Sequence, residues 1–260
     1  MKGEKPRKIA VANEKGGVGK TVTVINLAAA MVEKNMRVLV VDMDPQGSAS
    51  SGLGTRPENT ALSTYDLIRN AKPVDAEKVV VRTPWDGLDL LPAHPDLSGA
   101  DIELVNVYGR ENRLKRGLKT LSGQYDIVLL DTPPSLSLLT VNVFTYADEV
   151  LVPCQTHPYA YAALSELFDT IEAVREEIQP DLSVMGILAT LFDQRTRVSH
   201  RILQALREDE RYAPMLMRTV IRINTTIAES ADVGKPVVFY RSGSTGAQDY
   251  RALAEEITGS

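Results

Sequence analysis

A glycine-rich segment near the start of the chain constrains the fold more than any other feature. Residues 15–21 read KGGVGKT, directly after the apolar run 9–12 and directly before a stretch whose apolar residues have helical spacing. Glycines let the backbone turn tightly and direct consecutive N–H groups at phosphate oxygens, and the following helix N-terminus adds partial positive charge. The segment therefore predicts a strand, a phosphate-binding loop and a helix in succession.

The loop differs from the ordinary form, G-x-x-x-x-G-K-[ST], at its first position. Glu14 stands where a glycine is usual, and a second lysine, Lys15, follows it. In the ordinary form the last lysine contacts the β and γ phosphates and the hydroxyl residue binds Mg²⁺, which are the positions of Lys20 and Thr21 here. The predicted nucleotide-binding residues are Lys15, Gly16, Gly17, Val18, Gly19, Lys20, Thr21 and Val22. The alternative is a glycine-rich turn without a ligand, which leaves the adjacent lysine and threonine unexplained.

Apolar runs of strand length alternate along the chain with longer segments of helical period. This order predicts an α/β fold, doubly wound, with a mostly parallel sheet and helices on both faces. The predicted strands are 9–12, 38–41, 127–130, 150–152 and 184–191, and the predicted helices are the segment after Lys20 and residues 110–121, 137–146, 160–178, 198–211 and 245–257. We expect residues 52–88 to form an irregular surface excursion with a short helix near 63–70. No linker divides the sequence, so we expect one domain over 1–260 with a short polar tail at 1–7.

Composition excludes several classes of protein. A chain of 260 residues with 43% hydrophobic content can build a sizeable core, and a net charge of −5 excludes a protein that binds nucleic acid through overall basic charge. One cysteine, Cys154, cannot form an intrachain disulfide or supply a cysteine-rich metal site. No stretch approaches 18 apolar residues and the start is polar, so we expect neither a membrane span nor an export signal, and a cytoplasmic location.

Three aspartates stand at the ends of predicted strands. Asp42 and Asp44 follow the second strand and Asp131 follows the third. In open α/β sheets ligands bind at the carboxyl ends of the strands, so these side chains are expected to gather around the loop. Phosphoryl transfer requires a positioned water and neutralised phosphate charge. We expect Thr21 to bind Mg²⁺ directly, Asp42 and Asp131 to hold metal-bound waters, and Asp44 to orient the attacking water; for any one aspartate alone, a helix cap or turn is the alternative.

The variant loop KGGVGKT resembles the signature of the ParA/MinD group of P-loop ATPases, in which the extra lysine reaches across a dimer to the partner's nucleotide. Further segments resemble the ParA/Soj-type partition ATPases of this group, namely 42–47 (DMDPQG), 90–92 (LLP), 96–100 (DLSGA), 125–134 (YDIVLLDTPP) and 150–155 (VLVPCQ). The resemblance implies a P-loop fold of the deviant Walker type. It also implies an ATPase that hydrolyses ATP to ADP and phosphate with weak intrinsic activity. It implies an ATP-dependent homodimer, with Lys15, Lys20 and Asp44 as the catalytic residues.

An arginine-rich region lies between residues 194 and 222. It contains no lysine, and its arginines are Arg195, Arg197, Arg201, Arg207, Arg211, Arg218 and Arg222. The planar guanidinium suits phosphate, and on the predicted helix 198–211 the pairs 197/201 and 207/211 have i,i+4 spacing. The resemblance implies DNA binding without sequence preference, with Arg195 at the position of a DNA-binding arginine and Arg197, Arg201 and Arg222 as further candidates. The alternative is a solvated helix face paired with its own glutamates.

The segment 219–226 departs from the family pattern. It lacks the Pro-Arg pair that often precedes Asn224, and Thr226 stands where a basic residue is frequent. Either Arg222, displaced by one position, substitutes for that arginine, or the DNA face uses other residues. Asn224 is a candidate for contacting the adenine edge, because a carboxamide both donates and accepts hydrogen bonds. A turn-forming role is the alternative.

The function that the resemblance implies is a cytoplasmic, nucleoid-associated ATPase that positions or segregates chromosome or plasmid DNA, stimulated by a ParB-like activator. One alternative is a related ATPase that positions a protein cargo. A MinD-like membrane switch is the other, and it needs a basic amphipathic C-terminal helix, whereas residues 249–260 are mixed and acidic. We therefore expect no membrane partner.

Overall fold

The computed structural model describes residues 5–56, 60–69 and 74–259. In chain order the strands are β1 (Arg7–Val11), β2 (Val38–Asp42), β3 (Val81–Arg82), β4 (Leu88–Leu91), β5 (Ile127–Asp131), β6 (Glu149–Gln155), β7 (Ser183–Phe192) and β8 (Leu216–Arg222). In this part of the chain they form one sheet in the order β3-β4-β2-β5-β1-β6-β7-β8. All neighbouring strands are parallel except β3 and β4. The predicted α/β class with a mostly parallel sheet is confirmed.

Helices connect the strands and cover the sheet. They are α1 (Lys20–Glu33), α2 (Ser48–Gly52), α3 (Thr64–Arg69), α4 (Ala100–Glu103), α5 (Arg113–Gly117), α6 (Leu138–Tyr146), α7 (Pro158–Ala162), α8 (Leu164–Glu177), α9 (Arg197–Glu208), α10 (Thr225–Asp232), α11 (Val237–Tyr240) and α12 (Thr245–Thr258). Short 3₁₀ turns occupy Ala76–Lys78, Pro95–Gly99, Arg110–Asn112, Leu118–Leu121 and Ala213–Met215.

Alternate residues of the central strands enter two different cores. Ile9 and Val11 pack on one face of the sheet with the apolar sides of α1 and α12, while Ala10 belongs to the core on the other face with α6 and α8. Successive side chains of a strand point to opposite faces, and each of these residues is fully buried. This two-sided burial explains why the strands read as continuous apolar runs.

The order of the strands determines where a ligand binds. β1 lies between β5 and β6, so the chain proceeds to one side of β1 through β2 and to the other side through β6 and β7. The carboxyl end of β1 therefore lies at the point where the winding direction reverses, which in open α/β sheets is the position of the binding crevice. The glycine-rich loop begins at this point.

All five predicted strands are confirmed, and three strands were not predicted. β3 and β4 are two and four residues long, and β8 is a half-buried edge strand that contains two arginines, so each gives a weak sequence signal. The prediction of an irregular surface excursion at residues 52–88 is wrong in part, because Leu67 and Ile68 of α3 are buried and β3 joins the sheet. Residues 57–59 and 70–73 lie outside the described residues.

Two predicted helices are broken. The segment 110–121 forms α5 between two 3₁₀ turns, because Asn112 and Gly117 disfavour a continuous helix. The segment 160–178 divides at Ala163, whose ψ of −4° departs from helical values, and its first part begins earlier, at Pro158. The helices predicted at 137–146 and 245–257 are confirmed.

The helix predicted at 198–211 ends three residues early. The Asp209 carboxylate accepts hydrogen bonds from the backbone N–H of Arg211 and Tyr212 and from the Tyr161 hydroxyl, and Asp209 itself is extended. Arg211 is therefore not part of a helical arginine stripe, and its guanidinium lies over the Phe168 ring at 5.3 Å from the centroid. The stripe is shorter than predicted.

The predicted polar tail at 1–7 also needs correction at its end. Arg7 is the first residue of β1, and its guanidinium pairs with Glu149 at 2.9 Å. Residues 1–4 lie outside the described residues.

Strand β8 forms one edge of the sheet, and carboxylates of α12 cover it. The backbone N–H groups of Arg218 and Thr219 donate to Glu256 at 2.7 and 2.8 Å, and that of Arg222 donates to Asp249 at 3.0 Å. These donors would otherwise face solvent, since the edge of a sheet presents unpaired backbone groups. The C-terminal helix thus satisfies part of the sheet edge.

Candidate functional site

The glycine-rich loop connects β1 to α1 through a backbone that glycine makes accessible. Gly17 and Gly19 have φ values of 75° and 91°, in the left-handed region where a side chain is strained. Between them Val18 is buried, and its carbonyl oxygen accepts a hydrogen bond from the Thr190 hydroxyl at 2.7 Å. This hydrogen bond therefore joins the loop to strand β7.

The two lysines of the loop are placed differently. The Lys20 side chain is buried, and its Nζ donates to the backbone carbonyl of Lys15 at 3.0 Å, so the ammonium lies within the loop. Burial lowers the pKa of Lys20, and the charges of Asp131 and Asp44 partly oppose this effect. The Lys15 side chain is exposed at the rim of the site.

The register of the sheet brings two of the predicted carboxylates together. Asp42 and Asp131 are paired residues of the neighbouring parallel strands β2 and β5, and both are fully buried. One Asp42 oxygen accepts from the backbone N–H and the hydroxyl of Ser50, at 2.8 and 2.6 Å. Asp131 Oδ2 accepts from the Thr21 hydroxyl at 2.8 Å. The predicted metal-binding residues Thr21, Asp42 and Asp131 are therefore adjacent.

These carboxyl groups hold protons unusually strongly. Burial raises the pKa of Asp42 to about 6, against the opposing effect of the Ser50 hydrogen bonds. Burial raises the pKa of Asp131 well above its ordinary value, and the Asp42 charge raises it further. Two carboxylates in a buried site repel each other, so a cation at this position would stabilise their charged forms.

The donor set suits Mg²⁺. Asp131 Oδ1 is buried and lacks a hydrogen-bond partner among the described residues, and the Thr21 hydroxyl lies beside the other oxygen. Those residues contain no group of three or more histidine, cysteine or acidic side chains placed to hold a metal ion. Mg²⁺ usually takes only one or two carboxylates and completes its shell with phosphate and water oxygens. The residues present therefore fit this ion together with a phosphate ligand.

Burial of Asp42 makes its contribution to stability depend on pH, and the variant Asp42→Asn would remove this contribution while that of Asp131 remains. A carboxyl whose pKa is raised to about 6 in the folded chain stabilises the fold below its ordinary pKa, and this contribution is lost as the pH rises through 6. Between pH 4.5 and 7.5 the expected loss is about 2 kcal/mol in the free energy of unfolding of the unliganded protein. Urea denaturation of both proteins between pH 4.5 and 7.5 measures it. A difference between variant and wild type that is constant with pH would contradict the expectation.

A cavity of about 410 Å³ adjoins the loop. Its walls combine the loop residues with Asp44, Pro134 after β5, and one face of α10. The α10 face contributes Ile227, Ala228 and Ala231. The cavity therefore has a cationic, hydrogen-bonding end at the loop and an apolar end at α10, which matches a ligand with a polyanionic tail and a flat ring.

Asn224 has the turn-forming role that was the alternative for it. Its side-chain oxygen accepts from the backbone N–H of Thr226 at 2.8 Å and caps α10, and its amide nitrogen donates to the Thr245 hydroxyl. It also lines the cavity. The cap fixes the position of the carboxamide in the cavity wall.

Asp44 lies in the same wall and is nearly buried. Its Oδ1 accepts from the backbone N–H of Gln46 at 3.0 Å, and its own N–H donates to Asp42 Oδ1 at 3.2 Å. These bonds fix the aspartate beside the loop.

The candidate arginines do not share one environment. Arg195 precedes α9, its side chain is 84% exposed, and its guanidinium pairs with Asp193 at 3.0 Å. Arg197 and Arg201 are exposed one turn apart on α9. The Arg222 guanidinium instead donates to the buried carboxylate of Asp249, with its Nε at 3.1 Å. Arg222 therefore differs from the other three in its buried partner, although Arg195 and Arg222 line the same cavity of about 460 Å³.

The sequence patterns did not identify several residues of the site. The Ser50 hydroxyl donates to Asp42, and the Thr190 hydroxyl donates to the Val18 carbonyl of the loop. Neither residue belongs to one of the predicted motifs. The α10 wall had a recognisable signal, because positions 224, 227, 228 and 231 lie on one face of a helix.

Known proteins resemble this chain's sequence over nearly its whole length. A family model described as an AAA domain matches residues 6–184. The chromosome partitioning protein ParA of Myxococcus xanthus is 41% identical over 251 residues, which cover 96% of this chain and 87% of the relative. This chain belongs to the ParA/Soj family of partition ATPases. The chromosome-partitioning ATPase Soj of Thermus thermophilus is 43% identical, with 97% of this chain and 96% of the relative covered. The resemblance to ParA/Soj ATPases stated from the motifs is confirmed.

Solved structures share the ParA/Soj fold. Cobyrinic acid a,c-diamide synthase from Mycobacterium smegmatis, with bound ATP analog and magnesium, is 37% identical with a TM-score of 0.82, covering 97% of this chain and 94% of that chain. The McdA–ATP complex from Cyanothece is 21% identical with a TM-score of 0.85, covering 99% of this chain and 98% of that chain, and shows the fold alone. Among the described residues of this ParA/Soj ATPase, no helix has the length and apolar character required to span a bilayer.

Proposed function

We propose that this ParA/Soj ATPase is an ATP-dependent dimerising switch that binds DNA without sequence preference and positions or segregates chromosome or plasmid DNA. ATP and Mg²⁺ are its cofactors, and a ParB-like activator stimulates its slow hydrolysis in the cytoplasm, at the nucleoid. One observation carries the proposal: Lys20 lies within the loop and Lys15 is exposed at its rim. Lys20 can thus contact the nucleotide of its own subunit, while Lys15 can reach the nucleotide of a partner subunit.

The nucleotide occupies the cavity with its phosphates on the loop. The backbone N–H groups of residues 16–22 and the N-terminus of α1 bind the phosphates, and Lys20 reaches the β and γ phosphates. The adenine lies between Asn224 and the apolar face of α10, since that wall offers both a carboxamide and flat apolar contact. Related proteins crystallised with nucleotide and magnesium support this placement.

Hydrolysis depends on residues that position water and neutralise charge. Mg²⁺, when bound, neutralises phosphate charge and orients the phosphate oxygens. Thr21 would be its direct protein ligand, and Asp42 and Asp131 would hold the water molecules around it. Asp44 accepts a hydrogen bond from the attacking water and orients it, and Lys20 and Lys15 stabilise the negative charge that spreads over the γ-phosphate.

The dimer is tested by the variant Lys15→Gln. If Lys15 reaches the partner's nucleotide, the variant binds ATP in its own subunit but remains monomeric in ATP and Mg²⁺. Size-exclusion chromatography and DNA co-sedimentation without nucleotide, with ADP and with ATP measure this. We expect wild type to dimerise and to sediment with DNA only in ATP, and Lys78→Gln, at an exposed lysine in the 3₁₀ turn before β3, serves as the control. A strictly monomeric wild type at saturating ATP would falsify the proposal.

The DNA face consists of Arg195, Arg197 and Arg201. All three are exposed around the start of α9, and the ion pair of Arg195 with Asp193 is solvent-exposed and therefore weak, so a phosphate can displace it. Arg222 is left out of this face, because its guanidinium is held by Asp249. Its role is to fix the end of β8 beside the nucleotide cavity.

Reversing the charge at Arg195 tests this face. Arg195→Glu is expected to weaken DNA binding in ATP while dimerisation persists, and the slope of log affinity against log salt falls by about 0.9 for each phosphate that the variant no longer binds. Fluorescence anisotropy with duplex DNA at several salt concentrations measures both effects. The matched control is Arg207→Glu, at an exposed arginine of α9 outside the proposed face. Equal reductions in the two variants would show a general charge effect and no specific face.

A further inference from the structure

Strand β7 ends in a strained backbone beside the nucleotide cavity. Leu191 has a φ of 49°, in the left-handed region. The other non-glycine residue with positive φ in the described part of the chain is Asn35, of a type that tolerates this region, whereas leucine is disfavoured there. The pairing of β7 with β8 also shifts register between Ala189 and Phe192. We call residues 190–192 the β7 bend; strain of this kind is concentrated at functional sites.

The β7 bend borders the glycine-rich loop directly. Thr190 and Leu191 both line the nucleotide cavity, and the Thr190 hydroxyl donates to the Val18 carbonyl at 2.7 Å. A Cβ atom at Gly19 would lie 3.9 Å from the Thr190 side chain, so this side chain packs against the loop. A movement of the loop on ligand binding therefore acts on Thr190.

A buried hydroxyl cluster connects the β7 bend to the start of α9. The backbone N–H of Thr156 donates to the Thr190 carbonyl at 3.1 Å. The Thr156 hydroxyl lies 3.3 Å from the Leu191 carbonyl oxygen and 3.1 Å from the Ser199 hydroxyl oxygen. Thr156 and Ser199 are both buried. Leaving a buried polar group without a partner is costly, so these groups change position or partner together.

The same cluster determines where Arg195 lies. The Ser199 hydroxyl oxygen accepts from the backbone N–H of Asp193 at 3.3 Å, and the Asp193 carboxylate accepts from the backbone N–H and the Nε of Arg195, each at 3.0 Å. Thr196 caps α9 by accepting from the backbone N–H of Ser199. A changed backbone at Leu191 therefore reaches Arg195 both along the chain and through Ser199.

We propose that the β7 bend couples occupation of the glycine-rich loop to the placement of Arg195 and the start of α9 within a single subunit. The inference rests on the proposed function for the roles of the loop and of Arg195. Thr190 is a positioning residue, because bound phosphates orient the loop N–H groups and the Val18 carbonyl moves with them. Leu191 supplies the second arrangement, since leaving the left-handed region relieves its strain.

The test places a bimane fluorophore at the start of α9 through Val198→Cys. Val198 is 40% exposed, and Cys154, the single cysteine of the sequence, is buried, so the introduced thiol is the one labelled. ADP and Mg²⁺ are titrated into the labelled full chain, so that the reading does not depend on dimerisation or hydrolysis. We expect nucleotide to shift the emission maximum. A fluorophore at Arg207→Cys, near the other end of α9, is expected to stay unchanged.

Two variants interrupt the connection, each by removing one hydroxyl. Thr190→Val and Ser199→Ala are expected to bind ADP within roughly tenfold of wild type by calorimetry, because neither removes a loop residue. The nucleotide-induced shift at position 198 is expected to fall at least roughly fivefold in both, and Thr190→Ser, which keeps the hydroxyl, restores it. Thr170→Val, which removes a hydroxyl bonded within α8, is the matched control.

The outcomes separate coupling from a structural role. Loss of the shift in both variants with ADP bound, and its recovery in Thr190→Ser, supports the inference. A full shift in the variants overturns it, as does a wild type whose emission is unchanged at saturating ADP. If Thr190→Val does not fold, Ser199→Ala decides alone. A wild type that shows the shift in ADP but stays monomeric in ATP refutes the proposed switch, while the coupling within one subunit stands.

Discussion

We expect replacement of Lys20 by alanine to weaken ATP binding severely. The Lys20 side chain is buried and its ammonium donates to the Lys15 carbonyl within the loop, whereas the Lys15 side chain is exposed and cannot take its place. Hydrogen bonds to charged groups contribute about 1.5–3 kcal/mol each, so the dissociation constant for ATP rises at least roughly a hundredfold. Isothermal titration calorimetry with ATP and Mg²⁺ measures the effect.

The matched control for this variant is Lys119→Ala, since Lys119 is an exposed lysine in the 3₁₀ turn before β5. Circular dichroism and thermal unfolding of both variants distinguish impaired phosphate binding from a misfolded chain. A well-folded Lys20→Ala protein that binds ATP with wild-type affinity would mean that the loop does not hold the phosphates.

Replacing Asp44 with alanine separates binding from hydrolysis. Asp44 lies in the cavity wall beside the loop, and it neither pairs with Thr21 nor belongs to the Asp42–Asp131 pair. We therefore expect ATP affinity to stay within a few-fold of wild type, while turnover falls roughly a hundredfold or more, as for loss of a group that positions a reacting water. The variant then accumulates as an ATP-bound dimer.

Steady-state phosphate release and size-exclusion chromatography in ATP measure these two effects. Asp86→Ala, at an exposed aspartate before β4, is the control for loss of a carboxylate. Wild-type turnover by Asp44→Ala would remove Asp44 from the mechanism, whereas loss of nucleotide binding would place it among the phosphate-binding residues.

The sequence predicts the parts of the site that depend on one short motif or on the order of the strands. Lys20 and Thr21 are adjacent in sequence to the glycines that shape the loop, so one short motif specifies all of them. Asp42 and Asp131 are 89 positions apart in the sequence, yet they are predictable neighbours because the carboxyl ends of parallel strands meet at one edge of the sheet. The loop motif, the hydrophobic periodicity and the strand order are therefore sufficient to predict these four residues as neighbours.

Other features depend on tertiary contacts that no local pattern specifies. The hydrogen bonds from Ser50 to Asp42 require the short helix α2 to return to the end of β2, and the support of Val18 by Thr190 joins residues 172 positions apart. The early end of α9 arises because the Asp209 carboxylate binds backbone N–H groups in competition with the helix. Helical propensity alone favours continuation to residue 211.

The sheet edge at β8 affects how copies of this chain can associate. Glu256 and Asp249 already accept the N–H groups of Arg218, Thr219 and Arg222, so a strand from another molecule would find these donors occupied. Edge-to-edge pairing of copies through β8 is therefore disfavoured.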